Sequence, residues 1–126
     1  MEWIVEARGC SPTALRDLAT LQRLFAKVIS DLRLNPVGDP LWHQFEHPSG
    51  ITGMCMLAES HLTCHTFPEY GSLCLNLFCC REREEWDFDS HLRLLVGASQ
   101  VSVCRVKREY GSDVSRMAAF ATRTEA

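Results

Sequence analysis

Apolar and polar residues alternate in short runs over most of the chain, and two stretches instead carry helical spacing. Residues 3–8 (Trp-Ile-Val-Glu-Ala-Arg) predict a first strand, ended by Gly9. Ser11-Pro12 predicts a helix start, with serine as the cap and proline at the first helical position. Apolar residues follow at Leu15, Leu18, Leu21, Phe25, Val28 and Leu32. Intervals of three and four mark one amphipathic helix with one buried stripe. Asn35-Pro36 and Gly38-Asp39-Pro40 end it in a loop. Leu41–Phe45 predicts a second strand and His47–Gly50 a turn. Ile51–Glu59, apolar nearly throughout, predicts a third strand covered on both faces. Residues 61–66 and 72–80 alternate at period two around Pro68-Glu69-Tyr70-Gly71, which predicts two antiparallel strands joined by a turn. Arg81–Glu85 reads as a solvated charged loop. Asp87 or Asp89 can cap a second helix that runs to about Val96 and stops at Gly97. Gln100–Glu109 predicts a last strand, and residues 111–126 a tail or peripheral helix.

Strand, helix, several strands, helix, strand is the order of an α+β two-layer sandwich: an antiparallel sheet with helices on one face. In residues 72–80, Leu73, Leu75, Leu77 and Cys79 would point toward the helices. Cys74, Asn76, Phe78 and Cys80 would point away, onto a face neither plainly core nor plainly solvent. Such a face suits a dimer interface or a ligand site.

At 126 residues and 46% hydrophobic content the chain fits one domain, residues 1–126. A net charge of −3 with both signs interspersed argues against a nucleic-acid or anionic-membrane partner. No apolar run approaches a membrane span, and residues 1–6 lack the basic start and apolar core of a signal peptide. A cytoplasmic protein is the expectation. The seven cysteines are odd in number and include no C-x-x-C pair, which argues against a disulfide framework and a zinc ribbon.

The stretch from Ala58 to Gly71 concentrates the candidate chemistry. His61 and His65 would share a metal at this spacing on a helix. On a strand they lie roughly 13 Å apart at about 3.3 Å per residue, too far for one ion, so no metal is expected. Ser60 or a cysteine could be a nucleophile with a histidine base, although no G-x-S-x-G elbow is present. Taken by themselves, the histidines and threonines are best read as hydrogen-bonded polar groups on a half-polar strand face.

The run Glu59-Ser60-His61-Leu62-Thr63-Cys64-His65-Thr66-Phe67-Pro68-Glu69 resembles the processing and active-site signature of the small bacterial and archaeal S-adenosylmethionine decarboxylases. Residues 49–53 (Ser-Gly-Ile-Thr-Gly) resemble that family's segment ahead of its cleavage site, and residues 76–80 (Asn-Leu-Phe-Cys-Cys) a later strand of it. The resemblance covers roughly residues 3–110. It implies a proenzyme that cleaves itself between Glu59 and Ser60 into residues 1–59 and 60–126. Ser60 would become a covalent pyruvoyl group, the sole cofactor, and would form a Schiff base with the substrate. The implied reaction turns S-adenosylmethionine into its decarboxylated form for spermidine synthesis. Relatives with this processing motif that act on ornithine or arginine are the alternative, as is an uncleaved, non-catalytic homologue.

The resemblance also implies roles. His65 matches the base that removes the Ser60 α-proton from an ester intermediate, a task suited to imidazole. Thr52 matches a hydroxyl linked to processing, and His61 would help orient the cleavage site. Cys80 matches the acid that protonates the carbanion; its spacing from Ser60, not its surroundings, selects it over Cys79. Phe67 replaces the family's tryptophan as an adenine-stacking ring. Phe45 matches the second ring if one residue is inserted near Glu46-His47, and otherwise Glu46 falls there. Glu69 matches a glutamate that binds ribose. Two protomers packed sheet to sheet as a homodimer, with sites at or near the interface, complete the implied picture.

Overall fold

The computed structural model describes residues 1–111, so the expected tail or peripheral helix lies outside the described residues, Gly111 aside. Among the described residues, six strands form one antiparallel sheet: β1 (Glu2–Arg8), β2 (Leu41–Gln44), β3 (Ile51–Leu57), β4 (Ser60–Phe67), β5 (Ser72–Cys79) and β6 (Gln100–Val106). Their spatial order is β2-β3-β4-β5-β1-β6. Three α-helices are described, α1 (Pro12–Leu15), α2 (Leu18–Asp31) and α3 (Phe88–Val96), with a single 3₁₀ turn at Pro68–Tyr70. The α+β two-layer expectation holds. None of the described helices is long and apolar enough to cross a membrane.

The period-two pattern decides which strand face is buried. Trp3, Val5 and Ala7 of β1, Leu62, Cys64 and Thr66 of β4, and Leu73, Leu75, Leu77 and Cys79 of β5 point into the core. Leu15, Leu21, Leu24, Phe25 and Val28 meet them from α1 and α2, and Phe88, Leu92 and Val96 from α3. Strand β2 joins this layer through Trp42, whose ring lies 4.6 Å from that of Phe25. Its close approach requires Gly53 on β3, where a Cβ would stand 2.2 Å from the Trp42 ring. Thr66, fully buried, accepts from the Ile51 N–H and donates to the Leu15 carbonyl, each at 2.9 Å, and so pins α1 and β3 to β4.

Three expectations need correction. The single stripe from Leu15 to Leu32 is carried by two helices, not one. Ser11 caps the first by accepting from the Ala14 N–H, and extended Asp17 starts the second, taking a hydrogen bond from the Thr20 hydroxyl. Strand β3 is covered on one face only in the single chain: Ile51, Cys55 and Leu57 are buried, whereas Met54 and Met56 are 52% and 64% exposed. The charged loop 81–85 is not merely solvated, because Arg83 pairs with Glu59 and Glu85 accepts from the Trp3 indole. Elsewhere the boundaries move little. Asp87 caps α3, and Gly97, at φ +68°, ends it in the left-handed conformation that spares a glycine any Cβ clash.

None of the described helices covers the other face of the sheet. Ile4, Met54 and Met56 lie exposed there, beside His61, Thr63, His65, Asn76 and Phe78.

Candidate active site

Strands β3 and β4 pair as far as Leu57 and Ser60, leaving Ala58 and Glu59 as a two-residue turn. Tight hairpins favour turns with positive φ at their central residues, usually supplied by Asn or Gly, because only those match the twist of the strands. The non-glycine residues described with positive φ are Arg33, Ser49 and Ser60, so Ala58 and Glu59 do not supply it. The mismatch falls on the next residue. Ser60 has φ +149°, a conformation tolerated by glycine and strained for a residue with a Cβ. The strained backbone is that of the residue expected to be cleaved.

Five contacts hold this tip. The Glu59 carbonyl accepts from the Cys80 N–H at 2.7 Å. The Glu59 carboxylate is 4% exposed and accepts from the Asn35 N–H at 3.0 Å, from Asn35 Nδ2 at 2.7 Å and from Arg83 at 3.3 Å. Burial by itself would raise the Glu59 carboxyl. The Asn35 donors, with the Arg83 charge, outweigh burial and hold it below the ordinary range. The Ser60 hydroxyl lies 3.2 Å from His61 Nδ1. A depression of about 570 Å³ opens beside Ser60 and His61, lined also by Val37, Leu41, Met54 and Met56.

The remaining expected residues divide in space. Thr52 Oγ1 and His65 Nδ1 are 2.7 Å apart on paired positions of β3 and β4. Phe45 and Phe67 flank the His65 ring, with centroids 5.7 and 4.5 Å away. Glu69 is exposed on the neighbouring 3₁₀ turn. These residues form one group, but five residue steps along β4, about 16 Å at roughly 3.3 Å each, separate His65 from Ser60 of the same chain. His65 cannot reach its own Ser60. Cys80 does lie at the Ser60 end, exposed, its carbonyl bonded by the Tyr110 hydroxyl. Cys79 points into the core, where burial pushes its thiol up, and burial pushes that of Cys64 up to about 12. All seven cysteines are free. No group of three His, Cys, Asp or Glu side chains able to hold a metal occurs among the described residues.

The sequence assigned no site role to Asn35, Arg83, Asn76 or Glu2. Asn35 meets Glu59 across 24 positions, and no local pattern links them. Asn76 had one signal: it is polar on the outward alternation of an otherwise apolar strand.

Comparison with known proteins fits this architecture. A family model described as S-adenosylmethionine decarboxylase matches residues 1–109. An S-adenosylmethionine decarboxylase proenzyme of Caldicellulosiruptor saccharolyticus is 31% identical over 107 residues, covering 83% of this chain and 84% of the relative. One from Clostridium tetani is 32% identical, covering 83% and 82%. The crystal structure of the adenosylmethionine decarboxylase from Aquifex aeolicus VF5 superposes with a TM-score of 0.66 over 88% of this chain and 95% of that one; at 17% identity it speaks for the fold. With its hairpin, its open sheet face and a family match spanning nearly all described residues, this chain belongs to the S-adenosylmethionine decarboxylase family.

Proposed function

We propose that this chain is a proenzyme that cleaves itself between Glu59 and Ser60 and then decarboxylates S-adenosylmethionine. The observation that carries the reading is the state of the Glu59–Ser60 bond. Ser60 is strained, and the Glu59 carbonyl rests on the Cys80 N–H. Attack by Ser60 Oγ on that carbonyl carbon puts negative charge on the Glu59 oxygen, where the N–H already donates. Replacing the amide by an ester frees Ser60 from its place in the tight turn, so the strain favours reaction. The buried Glu59 carboxylate, clamped by Asn35 and Arg83, keeps the acyl half still while the bond changes.

The next step removes the Ser60 α-proton, and the His65–Thr52 pair suits it chemically. A separation of about 16 Å within one chain supports a reading in which a second copy supplies that pair. Two protomers packed by their helix-free faces, running in opposite directions, would set the Thr52, His65, Phe45 and Phe67 group of one against Ser60 of the other. The exposed Ile4, Met54 and Met56 give such a face apolar surface to bury. The depression beside Ser60 is of a size usual for small-molecule sites, with Phe45, Phe67 and Glu69 arriving from the partner for the nucleoside. A pyruvoyl group at position 60 would supply the sink for the electron pair that departing carbon dioxide leaves on the substrate. Cys80, exposed just beyond that end of β5, would deliver a proton to carbon.

The test is denaturing mass spectrometry of the purified chain, followed by carbon dioxide release from S-adenosylmethionine, ornithine and arginine. The expected result is one fragment ending at Glu59, one beginning with a pyruvoyl group at position 60, and release from S-adenosylmethionine alone. An intact inactive chain refutes the reading. A cleaved chain that acts only on ornithine or arginine refutes the substrate.

A further inference from the structure

A continuous line of hydrogen bonds runs from the cleavage site across the open sheet face. Ser60 Oγ is 3.2 Å from His61 Nδ1, and His61 Nε2 is 3.2 Å from Asn76 Oδ1. Asn76 Nδ2 donates to Glu2 Oε2 at 2.8 Å, and Arg108 donates to Glu2 Oε1 at 2.7 Å. Register explains the line. His61 on β4 neighbours Phe78 of β5, which pairs with Glu2 of β1, and Asn76 stands two residues along on the same face.

The order of donors and acceptors follows from the far end. Arg108 has only donors, so Glu2 stays a carboxylate; the Asn76 bond, aided by Arg108, holds it below the ordinary carboxyl range. A carboxylate cannot donate, so the Asn76 amide must turn its NH₂ to Glu2 and its oxygen to His61. That oxygen accepts from Nε2–H, which places the imidazole proton on Nε2. Nδ1 is then a free lone pair facing the Ser60 hydroxyl. The arrangement has the logic of a nucleophile, a base and an orienting group.

We infer that His61 is the general base for the first step of self-cleavage, with Asn76 and Glu2 as positioning residues that set its tautomer. The assignment rests on the self-cleavage reading above and gives the two histidines separate tasks. As Ser60 Oγ bonds to the Glu59 carbonyl carbon, its proton passes to His61 Nδ1, and the Cys80 N–H holds the oxyanion. The C–N bond between Glu59 and Ser60 then breaks, and His61 returns the proton to the leaving amine. The product is an ester of Glu59 on Ser60 Oγ with a free Ser60 amine. His65 acts only afterwards, on the α-proton.

The experiment follows cleavage of freshly refolded chains by mass spectrometry, with and without hydroxylamine, which splits esters but leaves the peptide intact. His61→Ala should slow cleavage about a hundredfold or more, the low end for a lost general base. Hydroxylamine should release nothing from it, and free imidazole in the buffer should restore cleavage, which a misfolded chain would not allow. His65→Ala should instead accumulate an ester that hydroxylamine splits. Asn76→Asp should slow cleavage by setting a second carboxylate against Glu2. Adding Glu2→Gln should recover it, because a side-chain amide can donate to the new carboxylate while that still accepts from Nε2–H. Wild-type speed in His61→Ala, or a hydroxylamine-sensitive ester accumulating in it, overturns the assignment while leaving self-cleavage standing. An uncut wild-type chain overturns both.

Discussion

Replacing Ser60 by glycine and by alanine measures the strain at the cleavage site. Both variants lack the hydroxyl, so both stay uncut. Alanine keeps a Cβ at φ +149°, whereas glycine removes it. A residue held in so sparsely populated a region costs about 1–3 kcal/mol. Glycine forfeits about 0.5–1 kcal/mol of this through the greater freedom of its unfolded chain. The net expectation is that Ser60→Gly is more stable than Ser60→Ala by about 1 kcal/mol. With an unfolding entropy of about 2.1 cal/mol/K per residue, that corresponds to a Tm higher by roughly 4 °C for a chain of this length. Urea unfolding followed by far-UV circular dichroism reads the difference directly, at equal protein concentration so that any association cancels. The sign decides. At an unstrained position glycine would be the less stable variant by about 0.5–1 kcal/mol, and that result would refute the proposal that strain drives the first step.

Two further expectations use the same uncut Ser60→Ala background. Thr66→Val leaves the Ile51 N–H and the Leu15 carbonyl unpaired in a fully buried site, so it should lose about 2–4 kcal/mol while Thr66→Ser loses about 1. Equal losses in urea unfolding would show that the methyl, not the hydroxyl, matters. Glu59 is held below its unfolded pKa of about 4.3, so its contribution is complete above that value and disappears as pH falls through the lower folded value. The urea midpoint should hold from neutrality to about pH 5 and fall below it, and adding Glu59→Gln should flatten part of that fall. An unchanged acid profile would remove Glu59 from the account.

Alternation and helical spacing carried most of the fold, because burying one strand face or one helix stripe leaves the same mark wherever it occurs. The inward Leu73, Leu75, Leu77 and Cys79 were readable for that reason, and the cap of α3 was narrowed to Asp87 or Asp89, of which the structure uses Asp87. The pattern misled where two physical states share one spacing. A break at Arg16 and Asp17 preserves the stripe from Leu15 to Leu32, so two helices looked like one. Met54 and Met56 gave β3 an apolar run, which has the same appearance whether the second face is covered within the chain or left open for another.

The sequence alone determined the chemistry available: a Glu-Ser bond, two histidines, an outward cysteine and aromatic rings, in an order that resembles one family. Tertiary structure decided which of them meet. Residues 60 and 65 are neighbours in the motif, yet strand geometry parts them by about 16 Å. Residues 35, 59 and 83 are remote in the chain, yet the β3–β4 tip gathers them around one carboxylate. The strain at Ser60 belongs to the same class. It arises because the sheet imposes a two-residue turn on Ala58-Glu59, whose side chains resist the dihedral angles that turn favours, and pairing with β5 leaves the next residue no other path.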